Sequence, residues 1–117
     1  MLKFYGYKKC GTSRKAEKSL EERGIQFEFI DITLSPPSIN ELKQIATQSN
    51  IELKKLFNTS GVQYRELKIK DKLPQLSDDE IFDLLAGNGK LIKRPLVTNG
   101  QQATVGYKED VFNTTWQ

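Results

Sequence analysis

These 117 residues contain no histidine and a single cysteine, Cys10. Without histidine, Ser-His-Asp and Cys-His catalysis are excluded, because the general base is missing. One cysteine permits no internal disulfide framework. With one cysteine and no histidine, a structural zinc site is not expected either. No apolar run approaches the ~20 residues of a membrane span. The N-terminal stretch MLKFYGYKKC lacks the apolar core of a signal peptide, so export is not suggested and a cytoplasmic location is expected. Charge of one sign is not concentrated anywhere. Eighteen basic residues against fifteen acidic ones give a dispersed net charge of +3, a pattern from which direct nucleic-acid binding is not expected.

What remains is 37% hydrophobic and 28% charged, the balance of a folded globule. A chain of this length buries roughly two-thirds of the surface that its unfolded form exposes, enough for one core. One domain over 1–117 is expected.

Leu2 to Tyr7 reads as a buried strand. After the loop Lys8-Lys9-Cys10-Gly11, Thr12 or Ser13 can cap a helix that runs to about Arg23 and stops at Gly24. Its thin apolar face, Ala16 and Leu20, suits packing on a sheet. Ile25 to Asp31 alternates as a second strand. Strand, helix and strand within about thirty residues form a βαβ unit, with parallel strands and a right-handed crossover.

The middle, 35–89, is nearly all helix. Ser35-Pro36-Pro37 breaks the chain. Ser38 to Glu41 and Ser77 to Glu80 both have capping-box spacing. The first box opens a helix with Ile39, Leu42, Ile45 and Ala46 on one face. The second opens one that carries Ile81, Phe82, Leu84 and Leu85 and closes at Gly87-Asn88-Gly89. Between them, Leu53 to Phe57 predicts a short helix, and Tyr64 to Ile69 another before Pro74.

Strands return at the end. Pro95 to Thr98 and Gln102 to Val105 flank Asn99-Gly100, a strong hairpin signal. Lys108 to Thr115 predicts a closing helix with Val111, Phe112 and Trp116 inward. The pattern is therefore βαβ, a helical insertion, then ββα. That is an α/β, thioredoxin-like mixed sheet, with 1–34 and 90–117 as its core and 35–89 as an all-helical insertion.

Cys10 is the residue with chemistry. It lies between a strand and the start of a helix, where unpaired N–H groups and the helix dipole favour a thiolate. Lys8, Lys9 and Arg14 are basic neighbours in sequence. Such settings lower a thiol pKa from ~8.5 toward ~3.5–7.5. The competing reading is an inert buried thiol, which the polar run Lys8 to Ser13 disfavours. The motif Cys10-Gly11-Thr12-Ser13 is C-x-x-S, so no intramolecular disulfide forms and an outside thiol must resolve any mixed disulfide. Ser13 either donates a hydrogen bond to the thiolate or caps the helix. Arg94 precedes Pro95 at the head of the third strand, the point that faces the nucleophile in such a sheet. It either grips an oxyanion in a bidentate way or belongs to a solvated basic turn, Lys90 to Arg94. A *cis* Arg94–Pro95 bond is a further expectation.

Tyr5 to Ala16, Pro36-Pro37-Ser38 before a helix, Ile92-Lys93-Arg94-Pro95-Leu96-Val97 and Val105 to Asp110 together resemble the ArsC/Spx family. That family holds glutaredoxin-coupled arsenate reductases and Spx-type transcriptional regulators, and the resemblance spans essentially the whole chain. It implies a thioredoxin-like fold with a helical insertion, a nucleophile at Cys10 and an anion-binding arginine at Arg94 before the *cis*-proline Pro95. Gly11, Thr12, Ser13 and Arg14 complete the loop that would stabilise a thiolate or anion.

The arsenate reductases use two further arginines. At the corresponding places this chain has Asn58 and Gly106. Arg65 is the candidate substitute from the insertion. The expectation is a monothiol oxidoreductase that takes no cofactor. Its partner would be an external thiol: glutathione, another small thiol or a redoxin. The alternatives are an Spx-like protein that binds RNA polymerase or another protein without catalysis, and a true arsenate reductase. The first is suggested by the Val105 to Asp110 pattern.

Overall fold

The computed structural model describes residues 2–117. Four strands form one mixed sheet: β1 (Leu2–Gly6), β2 (Phe27–Asp31), β3 (Leu96–Thr98) and β4 (Ala103–Val105). Their order is β2-β1-β3-β4. β1 and β2 run parallel, with Phe4 opposite Phe29. β3 pairs antiparallel with both β1 and β4. The thioredoxin-like arrangement expected from the sequence is present.

Each face of the sheet has its own core, because strand side chains alternate in direction. Leu2, Phe4 and Val97 pack with Ala16 and Leu20 of α1 (Gly11–Glu22) and with Phe112 and Trp116 at α6 (Glu109–Thr115). Tyr5, Leu96 and Ala103 face the other way. They pack with Leu42, Ile45 and Ala46 of α2 (Ile39–Ser49) and Ile81, Phe82 and Leu85 of α5 (Asp78–Gly87). Burying one such large side chain contributes about 1.5–3 kcal/mol. Trp116 fastens α6 by donating its indole N–H to the Thr104 hydroxyl, 2.9 Å away in the interior. Among the described residues no helix is long and apolar enough to cross a membrane.

Several local expectations change. α1 starts at Gly11, so the cap position is Cys10, not Thr12 or Ser13. The Ser77–Glu80 box forms in full. The Ser38 box forms by half: Ser38 accepts from the Glu41 N–H. The Glu41 carboxylate does not close it. Instead it accepts from the buried Tyr5 hydroxyl and pairs with Lys3. The helix expected over Tyr64 to Ile69 is two pieces, α3 (Val62–Glu66) and α4 (Ile69–Lys72). Lys68, at φ 53°, turns the chain between them. Leu53–Leu56 is one 3-10 turn. Val111 is exposed, not inward, because Phe112 and Trp116 already fill the contact.

Candidate functional site

The site forms where β1 runs into α1. The Cys10 N–H donates to the Tyr7 carbonyl at 2.9 Å, which turns the chain into the helix. Cys10 takes the extended cap conformation, φ −93°. Ser13 sits fully buried in the first turn. Its hydroxyl accepts from the Tyr7 N–H at 3.2 Å. It therefore ties the end of β1 to the helix instead of capping it.

Opposite lies the segment before β3. The Arg94–Pro95 peptide is *cis*. The insertion reaches this segment directly. Phe57 and Ile92 form an antiparallel bridge. The Asn58 N–H donates to the Leu91 carbonyl at 2.8 Å, and the Lys93 N–H to that of Leu56 at 2.7 Å. Arg94 sits 5.1 Å over the Tyr7 ring, within range of a cation–π contact. Its Nε is buried without a hydrogen-bond partner.

Cys10, Thr12, Asn58, Lys93 and Arg94 line one cleft of about 450 Å³. Burial pushes the Cys10 thiol up, but other groups outweigh it: the Ser13 N–H, the Arg94 guanidinium, the Ser13 hydroxyl and the Arg94 charge. The net result is a thiol held below its ordinary range. A thiolate in an open cleft is a nucleophile toward disulfide sulfur.

The structure brings Cys10, Thr12, Ser13 and Arg94 together, with Gly11 exposed at the helix start. Arg14 is exposed and does not line the cleft. The charge of Lys8 is engaged elsewhere, 2.6 Å from Glu17 and over the Phe29 ring. Arg65 is exposed on α3 and does not line this cleft. Asn58 does line it, as a neutral side chain. The sequence reading assigned no role to Lys93, although its place beside Arg94 was the available signal.

The profile of the ArsC family matches residues 5–115, nearly the whole chain. The chain belongs to the ArsC family. It is 55% identical to the protein YusI of Bacillus subtilis over 98% of each chain. An ArsC-family-related structure from Bacteroides fragilis superimposes with a TM-score of 0.93 at 42% identity, covering 97% of this chain and 95% of that one. ArsC-family relatives of both named kinds also match. The arsenate reductase of Neisseria meningitidis is 30% identical over 90% of this chain and 89% of its own. The regulator Spx 1 of Oceanobacillus iheyensis is 29% identical over 94% and 82%.

Proposed function

We propose that this ArsC-family chain is a monothiol thiol–disulfide oxidoreductase. One observation carries the reading: the sole thiol stands at a helix start, in an open cleft, with the Ser13 N–H and the Arg94 guanidinium favouring its charged form. The Cys10 thiolate attacks one sulfur of a substrate disulfide. That S–S bond breaks, a Cys10 mixed disulfide forms, and the other half leaves as a thiolate. An external thiolate then attacks the mixed disulfide. It re-forms the Cys10 thiolate and carries the oxidation away as a new disulfide. Arg94 and the α1 N-terminus stabilise the sulfur charge at both ends of the cycle.

The pH dependence of Cys10 alkylation tests this reading without interference, since no other thiol is present. Alkylation follows the thiolate fraction, so its midpoint falls below the ~8.5 of an ordinary cysteine. Arg94→Ala moves the midpoint upward, because a charge that favours the thiolate is lost. A wild-type midpoint at or above the ordinary value would end the proposal.

Arsenate is a poorer match for the cleft. Among the described residues Arg94 is the single arginine lining it, with Asn58 in place of a second. A charge-assisted contact contributes about 1.5–3 kcal/mol. Two missing contacts therefore weaken a dianion by orders of magnitude. With glutathione and glutaredoxin supplied, arsenate turnover is expected to be at background while a glutathione mixed disulfide is reduced. The same neutral Asn58 favours the second reading, a non-catalytic protein-binding relative of Spx. Recovery of RNA polymerase on the immobilised chain, unchanged by Cys10→Ser, would support it over catalysis.

A further inference from the structure

We propose that Lys93 is the second cationic anchor of the cleft and that the site is built for disulfides carrying a carboxylate or similar anion beside the reacting sulfur. This rests on the monothiol reading above and names its substrate class. The argument begins at Gly106. Its N–H donates to the Pro95 carbonyl at 2.9 Å, which holds the end of β4 against the start of β3. It takes φ +76°, a conformation that glycine adopts freely and side-chain-bearing residues rarely do. The space that a side chain would occupy there is already taken. A Cβ on Gly106 would lie 2.8 Å from Cε of Lys93 and 3.7 Å from its Nζ. The missing side chain at 106 is thus the bed on which the Lys93 stem lies.

The backbone fixes the root of that stem, since the Lys93 N–H is bonded to Leu56. Lys93 lines the same cleft as Cys10 and Arg94. Among the described residues that line it, none is acidic; the carboxylate that feels the Arg94 charge, Asp31, lies outside the cleft lining. Arg94 still has a buried, unpartnered Nε. Two cations flanking a nucleophilic sulfur attract and orient an anionic group.

Two disulfides of opposite character test this. 5,5′-Dithiobis(2-nitrobenzoate) carries a carboxylate on each half; 2,2′-dithiodipyridine is neutral near pH 7. In both, Cys10 displaces one aryl thiolate, whose release is read by absorbance. Lys93→Ala is expected to slow the anionic reagent about fivefold and to leave the neutral one unchanged. Lys93→Glu deepens the loss to roughly tenfold or more, and Lys93→Arg restores the wild-type ratio. Added salt erodes the wild-type preference more than that of Lys93→Ala, in which Arg94 alone remains. Equal effects on both reagents, or none, would overturn the role of Lys93. If the wild-type chain reacts with neither reagent faster than free cysteine does, the monothiol reading fails. The ratio of the two rates still reports on Lys93.

Discussion

Cys10→Ser is expected to abolish thiol–disulfide turnover while leaving the fold equally stable or slightly more so. The two halves of this result have different causes. Serine lacks the thiolate that attacks a disulfide, and its hydroxyl stays protonated at neutral pH. Losing the nucleophile of such a cycle costs roughly a thousandfold or more in rate. Stability depends instead on the position. Cys10 occupies the cap of α1 in extended conformation, with its sulfur, a weaker acceptor than a hydroxyl oxygen, facing the Ser13 N–H of the first turn. Serine is among the preferred residues at that position, where its oxygen accepts from an N–H of the first turn. A gain of up to about 1 kcal/mol is expected. Denaturant unfolding and a mixed-disulfide reduction assay on one preparation check both halves. Retained turnover would exclude Cys10 as the nucleophile.

Gly89→Ala is expected to be among the most damaging small substitutions in the chain. Gly89 is buried, and a Cβ there would stand 1.8 Å from the carbonyl oxygen of Ile32. Ile32 is itself fully buried immediately after β2, so the obstacle is backbone within the core and not a side chain that can swing aside. The chain must part there, at a cost of about 3 kcal/mol or more. That lowers the melting temperature on the order of 10 °C. Gly87→Ala is the matched control. Nothing lies within 4 Å of its Cβ position, so its change stays within about 1 kcal/mol. Similar melting temperatures for the two variants would refute the contact.

The sequence was most legible where one side chain decides the outcome locally. Ser77 and Glu80 close their box, and Ala16 and Leu20 bury the face of α1. It was less legible where a distant partner competes. Glu41 has the spacing to cap its own helix, yet Tyr5 on β1 draws its carboxylate away. The start of α1 lies two or three residues earlier than its capping residues suggest, because Cys10 is not a capping residue by type, while Thr12 and Ser13 are. The turn at Lys68 has no glycine or proline to announce it. At the site, Cys10 and Arg94 could be placed from their flanks. Lys93 had only its place beside Arg94 as a signal, since its setting depends on an empty position thirteen residues further along the chain.

Ser13 stands three residues after the only cysteine, and its hydroxyl oxygen accepts from a strand N–H, so Cys10 can be capped only by a molecule from outside. Each capping event consumes one small disulfide and releases one thiol. The capped fraction at equilibrium therefore follows the simple ratio of external disulfide to external thiol. A dithiol pair follows the disulfide divided by the square of the thiol, and so responds to dilution of the whole pool as well as to its oxidation. This chain would register the proportion of oxidised thiol around it and ignore the total.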